Sequence, residues 1–366
     1  MILAANVSVY LKTTETCNLN CKHCFTSGTN GKKIFFSPKK TISFFERLKQ
    51  ECGWIKSIRY MFHGGEPLLA PMEDLYEAYH GLKNIFPETQ FSLQTNLAYH
   101  LTPERRNFIK EVFLTEGFGT SWDYDIRFTS ESQKELWENN VKTLIRDGHY
   151  ITMIVSITKN LIEEKEPIEI IEYAKGLGFQ NILFERITSD GNAKTNESIL
   201  PSNQKQDEWL HRMFNQSLEY KTYEYIGNML MSELARAYVN HEHTANRCRM
   251  CEQSLITINA DGTIGGCPNT APSEHWGHIE WPVLQSLKAE KRIKAIACES
   301  LDRPEECYKC EAFEYCNSDC NKLPWDKETN YCSAPKKIWQ QMIRDNDIPS
   351  YKKLIVGAKG DGPHGI

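Results

Sequence analysis

The 366-residue chain has little excess charge of either sign, with 43 Lys and Arg against 48 Asp and Glu and a formal net charge of −5. That balance supplies no basic field for nucleic acid or an anionic membrane, so small molecules or peptides are the expected partners. No uncharged run approaches the roughly 20 residues that span a bilayer. No basic segment precedes the apolar residues between Met1 and Thr14, so no secretory signal is expected. These absences imply a cytoplasmic protein in which a disulfide framework has no oxidising compartment to form. No internal repeat is present. With 40% hydrophobic residues the chain can nevertheless bury a substantial core and divide into two or three domains.

Cysteine, by contrast, is abundant: 13 residues, too many for a typical cytosolic enzyme unless they bind metal. One tight set is Cys17, Cys21 and Cys24. Another runs from Cys298 through Cys307, Cys310, Cys316 and Cys320 to Cys332, preceded by Cys248, Cys251 and Cys267. Cys52 stands well away from the others.

The first half alternates strand-like and helix-like segments. Val7, Val9 and Leu11 alternate with Ser8, Tyr10 and Lys12, a period of two that predicts a strand ending just before Cys17. Further strands are expected at 57–62, 90–94, 117–121, 150–157 and 181–187, and helices at 40–52, 72–85, 103–113, 132–147 and 164–177. Six strand-helix units imply a parallel sheet with right-handed crossovers, an α/β fold of the partial (β/α)6 TIM-barrel type. In such barrels the chemistry sits at the C-terminal ends of the strands. The domains expected are the barrel at 1–200, a helical bridge at 201–242, a cysteine-rich segment of sparse regular structure at 243–335, and a helix with a flexible tail at 336–366.

Cys17-Asn-Leu-Asn-Cys21-Lys-His-Cys24 is a Cys-x3-Cys-x2-Cys loop. Three thiolates can bind three irons of a 4Fe-4S cube and leave the fourth open for chemistry. Chance gives this spacing in roughly 2% of shuffled chains of equal cysteine content, so the loop carries information. A zinc knuckle is the alternative, but zinc prefers four ligands in closed sites, and His23 is the one local residue able to serve as a fourth.

Placed just after a first strand, this loop resembles the signature of the radical S-adenosylmethionine (SAM) superfamily, with His23 in the aromatic position before the last cysteine. The resemblance implies a SAM-binding cluster that, once reduced, cleaves SAM to a 5′-deoxyadenosyl radical. His63-Gly64-Gly65-Glu66-Pro67 follows the second strand and is similar to the family's GGEP motif, in which backbone carbonyls approach the SAM ammonium and Glu66 would pair with it. Gln94 and Asn96 end the third strand, where such enzymes place polar groups near the cofactor. Ser121 and Asp123 end the fourth, where they bind the ribose. Arg127 is the candidate for the SAM carboxylate, because a guanidinium matches it as a two-pronged donor. Ser156 lies at the fifth strand end. Glu185, Arg186 and Asp190 at the sixth are the candidates for catalysis, with a structural ion pair between Glu185 and Arg186 as the alternative.

The C-terminal array Cys307-x2-Cys310-x5-Cys316-x3-Cys320, with Cys332 beyond it, resembles the SPASM extension of radical SAM enzymes. That likeness implies two auxiliary 4Fe-4S clusters, one on Cys248, Cys251, Cys267 and Cys320 and one on Cys307, Cys310, Cys316 and Cys332, making three clusters in all. Two interleaved zinc sites are the alternative. Cys52 and Cys298 are left as ordinary thiols.

Enzymes of this architecture mostly modify peptides or proteins, so the resemblance implies a peptide or protein substrate and an external electron donor such as flavodoxin or ferredoxin. The array is also similar to that of anaerobic sulfatase-maturating enzymes, which form formylglycine. Those enzymes carry an aspartate base just after the cysteine corresponding to Cys267, where this chain has Pro268-Asn269. An amide cannot take the proton, which favours maturation of a ribosomally synthesised peptide by crosslinking, epimerisation or rearrangement. The chain starts at its first strand, so the peptide is expected to be presented by a separate leader-binding protein or at the barrel mouth. A non-catalytic iron-sulfur relay is the reading from another class, and the intact SAM motifs oppose it.

Overall fold

A computed structural model describes residues 3–26, 28–243, 247–270, 272–323 and 325–356. Six parallel strands follow one another in sequence and in space: β1 (Asn6–Thr14), β2 (Ser57–Gly64), β3 (Glu88–Thr95), β4 (Phe118–Ser121), β5 (Ile151–Ile157) and β6 (Asn181–Arg186). Between them run helices α1 (Pro38–Glu51), α2 (Met72–Leu82), α3 (Pro103–Phe113), α4 (Glu131–Arg146), α5 (Lys159–Glu164) and α6 (Pro167–Leu177). This is the partial TIM-type barrel expected from the alternation.

Local chemistry accounts for the boundaries. Helix α1 begins where Ser37 accepts from the Lys40 N–H and Pro38 supplies a preset φ. It buries Thr41, Phe44, Phe45 and Leu48, a face at helical spacing turned to the sheet. The helix expected at 164–177 is α6, opened at Pro167, and a further short helix, α5, capped by Thr158, precedes it. Helix α6 stops at Gly178, whose φ of 95° is open to glycine and costly for other residues. Strand β5 is buried along its whole length, as a strand covered on both faces must be. Beneath β2 and β3, Phe62 is surrounded by the rings of Phe91, Phe108 and Phe113 at 5.9–6.2 Å.

After β6 come α7 (Asn203–Glu219), a two-residue strand β7 (Gly227–Asn228) parallel to β6, and α8 (Met229–Asn240). The region beyond was expected to hold little regular structure, and here the finding differs. Following the short α9 (Cys251–Ser254), strand β8 (Leu255–Ile258) pairs parallel to β1, and β9 (Thr263–Gly265) and β10 (Gly277–His278) continue antiparallel. The result is one sheet of ten strands in the order β10-β9-β8-β1-β2-β3-β4-β5-β6-β7. The apolar residues Leu255, Ile256 and Ile258 are buried in it, so this segment adds to the hydrophobic core as well as holding cysteines. Helices α10 (Val283–Leu287), α11 (Glu290–Leu301), α12 (Phe313–Cys316), α13 (Lys336–Asp345) and α14 (Ile348–Lys352) complete the described chain. The flexible tail expected at its end falls on 357–366, outside the described residues. Among the described residues no helix is long and apolar enough to cross a membrane.

Replacing Phe62, which is fully buried, by Ala is expected to cost about 3–5 kcal/mol, the usual range for a core phenylalanine. Denaturant unfolding of the two proteins measures it, and a cost below about 1 kcal/mol would show that the ring cluster does not hold β2 and β3.

Candidate active site

The cysteine loop leaves the end of β1 and is tied down on three sides. The Lys22 N–H donates to Ile126 O at 3.1 Å, the Asn18 amide to Ala98 O at 2.7 Å, and the Leu19 N–H to Cys17 Sγ at 3.4 Å. From the far edge of the barrel, the Asn192 N–H donates to Cys24 O at 2.9 Å and its side-chain amide to Cys21 O at 3.1 Å. Gly191 makes that approach possible. Its φ is 58°, and a Cβ there would stand 2.5 Å from Cys24 O. Cys17, Cys21, Cys24 and His23 line one cavity of about 210 Å³, together with Gly64, Gly65, Gln94, Asn96, Ser121 and Arg127.

The glycine turn is fixed by backbone contacts. Gly65 N–H donates to Thr14 O at 2.8 Å and Glu66 N–H to Thr16 O at 2.9 Å, so β1 and β2 are stitched beyond their last paired residues. A Cβ on Gly64 or Gly65 would overlap Thr14 O or Thr16 O. Glu66 departs from expectation. Its carboxylate does not line the cavity; it accepts from Leu68 N–H (3.1 Å), Thr95 Oγ1 (2.8 Å) and Asn96 N–H (2.7 Å) within the protein. Burial pushes its pKa up to about 7 despite these bonds. Glu66 thus staples the end of β2 to the end of β3, and Pro67 opens the turn behind it while its carbonyl accepts from Thr13 Oγ1 at 3.1 Å.

Asp123 is also set behind the wall. Fully buried, it accepts from Arg127 Nε at 2.6 Å and from Ser156 N–H at 2.8 Å. Burial alone would raise its pKa, but the Arg127 guanidinium and His23 outweigh it and hold the carboxyl below its ordinary value. Ser156 lies 3.5 Å through its Oγ from His23 Nε2. The amide of Gln94 donates to Ser121 Oγ at 3.0 Å, leaving Gln94 Oε1 buried without a partner, as is His23 Nδ1. A wall with three thiols and unspent polar atoms fits a cluster with a polar ligand beside it.

At the sixth strand end the neighbouring residues point apart, as alternation requires. Glu185 is enclosed by protein, yet its side chain is accessible because open space lies in front of it. No hydrogen bond or ion pair to it is made among the described residues, and burial pushes its pKa up to about 7. Arg186 turns away and forms a two-pronged pair with Asp319, at 2.8 and 3.0 Å. The ion pair anticipated between Glu185 and Arg186 is therefore absent. Arg186 and Asp190 do not line the first cavity; Asp190 precedes the turn Gly191–Thr195.

Two further cavities carry the remaining cysteines. Cys248, Cys251, Cys267 and Cys320 line one of about 190 Å³. Cys307, Cys310, Cys316 and Cys332 line another of about 790 Å³, with Cys320 also at its wall. Cys52 is buried in the core and Cys298 is exposed on α11. Among the described residues no three His, Cys, Asp or Glu side chains converge as ligands of one metal ion. The first two cavities share Tyr10, Glu185, Pro268 and Asn269 as a common wall. Lys12 projects into the first beside them, its Nζ 3.4 Å from Pro268 O. Sequence reasoning passed over Tyr10 and Lys12 as the polar face of a strand. The available signal was that a barrel strand turns that face inward.

No curated protein matches the chain. Among solved structures, native anSMEcpe with bound AdoMet and the Cp18Cys peptide shares 16% identity over 96% of this chain and 99% of that one, with a TM-score of 0.76. Streptococcus suis SuiB bound to precursor peptide SuiA shares 14% identity over 90% of this chain and 75% of that one, with a TM-score of 0.58. At such identities the likeness is one of fold. The radical SAM superfamily model matches residues 11–188, which contain the cysteine loop, the glycine turn and the strand ends that line the first cavity. Residues 11–188 of this chain belong to the radical SAM superfamily.

Proposed function

We propose that the protein is a peptide-modifying radical SAM enzyme with three 4Fe-4S clusters, one at each cysteine-lined cavity. The observation that carries this reading is the common wall of the first two cavities, which sets the SAM site and the first auxiliary site side by side. When bound and reduced by a donor such as flavodoxin or ferredoxin, the first cluster supplies the electron that cleaves SAM and begins hydrogen abstraction from the substrate.

The chain's own residues divide the remaining work. Arg127 is held by Asp123 and offers its remaining guanidinium donors to the SAM carboxylate. Gly64, Gly65, Gln94, Asn96, Ser121 and His23 form the walls against which SAM is oriented, with Ser156 behind His23. Glu185 stands on the wall common to the two cavities, unpaired and with a pKa near neutrality, as suits a proton acceptor. Pro268 and Asn269 stand on the same wall, so an amide occupies the side from which a carboxylate would serve formylglycine formation. A ribosomally synthesised peptide, oxidised by crosslinking, epimerisation or rearrangement, suits this arrangement better. Relatives of the same fold crystallise with peptides, Cp18Cys in anSMEcpe and SuiA in SuiB, which supports a peptide here. A non-catalytic relay would have no use for a polar cavity beside the open side of the cysteine loop.

Anaerobically reconstituted and reduced protein is expected to convert SAM to 5′-deoxyadenosine and methionine, and the triple variant Cys17→Ala, Cys21→Ala, Cys24→Ala to make none. Turnover persisting in the triple variant would end the proposal. Iron should fall from about twelve to about eight per chain in that variant. Zinc in place of the remaining iron would contradict the auxiliary assignment. Gly191→Ala forces a side chain against Cys24 O at a strained φ that costs about 1–3 kcal/mol. It should lower iron retention by the first loop while the auxiliary iron stays. Unchanged retention would show that the far edge of the barrel does not brace the loop.

A further inference from the structure

The segment joining Cys316 to Cys320 belongs to both auxiliary sites, since Cys316 lines one cavity and Cys320 lines both. Its three intervening residues, Asn317, Ser318 and Asp319, all have positive φ, at 50°, 64° and 52°. Non-glycine residues pay for that conformation, so other contacts must hold it. Four arginines do. Arg186 grips the Asp319 carboxylate, Arg249 donates to Asp319 O at 3.0 Å, and Arg303 donates to Asn317 Oδ1 at 3.0 Å. Arg247 receives the Asn317 amide on its backbone carbonyl at 2.7 Å.

Arg247 differs from the other three. Its guanidinium is fully buried, and one nitrogen, Nη2, donates to Glu233 at 3.2 Å. Nε and Nη1 are buried with no partner. Buried donors left empty are costly, and a guanidinium offers five N–H groups. Arg247 stands next to Cys248 in the chain, and its partner Glu233 lines the cavity of Cys248, Cys251, Cys267 and Cys320. An iron-sulfur cluster on four thiolates is anionic, gains a further negative charge on reduction, and takes hydrogen bonds on its sulfurs. Such a cluster would add to the counter-charge that Glu233 gives the guanidinium through one nitrogen.

We infer that Arg247, with Glu233 as its partial counter-charge, is the residue that raises the reduction potential of the auxiliary centre containing Cys248, fitting that centre to accept an electron. The inference rests on the three-cluster reading above. A buried positive charge stabilises the reduced state more than the oxidised one, so its removal lowers the potential. Removing Glu233 does the opposite, because it leaves the guanidinium less neutralised. A role confined to packing would move both variants the same way.

The test uses the full chain in the Cys17→Ala, Cys21→Ala, Cys24→Ala background, so that the auxiliary centres alone report, in a potentiometric titration followed by electron paramagnetic resonance. Arg247→Met should make reduction of one centre at least tenfold less favourable, a fall of about 59 mV for a one-electron couple. Arg247→Lys, which keeps the charge but loses the planar fork, should fall by less, and Glu233→Gln should rise. Unmoved midpoints in a protein holding about eight irons overturn the inference and leave the three-cluster reading standing. Arg247→Met and Glu233→Gln shifting in the same direction also overturn it. If Arg247→Met fails to load iron, Arg247→Lys and Glu233→Gln decide, and the absence of a rise in Glu233→Gln is the contrary result. Absence of auxiliary iron from the background variant overturns the three-cluster reading and the inference with it.

Discussion

Strand β1 is paired on both sides, to β2 through Asn6–Thr14 and to β8 through Ser8–Leu11, and the placement of the cysteine groups depends on that double pairing. Parallel pairing brings the C-terminal ends of β1, β2 and β8 to one side of the sheet. The Cys17 loop leaves the first of these ends and the glycine turn the second, while from the third β9 turns back antiparallel and delivers Cys267 two residues past Gly265. Lys12, one residue past Leu11, reaches Pro268 O on the chain returning from β9, and there the first two cavities share a wall. A slip of one residue between β1 and β8 would reverse every side chain of the hairpin and part the cavities. The cysteine-rich segment is therefore built onto the barrel's own sheet through backbone hydrogen bonds between β1 and β8.

Buried charge follows a consistent division. Where a charge must hold structure, it is paired: Asp123 with Arg127, Asp319 with Arg186, and Glu66 with three internal donors. Such groups are costly to bury and hold their surroundings in one arrangement, because breaking a pair strands its partner. Where the chain faces open space, a charge is left unspent. Glu185 stands on the shared wall without a partner, and Lys12 enters the first cavity with one long bond. The contrast separates residues that shape the site from residues available to a ligand. Glu66 and Asp123 fall in the first group and Arg127 belongs to both, since the pairing that orients it leaves other donors in the cavity.

Much of this was legible in the sequence, for physical reasons. The six strand-helix units show in the alternation because each strand needs a crossover helix to return parallel, and Ser37-Pro38 and Thr102-Pro103 mark helix starts by capping chemistry. The cysteine loop and glycine turn show because thiolate spacing and close backbone approach tolerate few substitutes. The strands at 255–258, 263–265 and 277–278 were missed. They are two to four residues long and take their stability from β1, a long-range pairing that leaves little local pattern. For Glu66 the motif gives a position but not a direction, and only the ends of β2 and β3 together show its bonds to Leu68, Thr95 and Asn96. Arg186 was assigned to the barrel mouth, yet its partner Asp319 lies 133 residues away, beyond any window in which charge pairing can be read.

The central claim is that the three cysteine-lined cavities each hold a 4Fe-4S cluster, two of them across one shared wall. Anomalous diffraction at the iron edge from anaerobically grown crystals of the reconstituted protein locates the metal directly. The account predicts three compact iron peaks, one beside Cys17, Cys21 and Cys24, one among Cys248, Cys251, Cys267 and Cys320, and one among Cys307, Cys310, Cys316 and Cys332. Iron at the first position alone, or zinc-edge signal at either of the others, would contradict it.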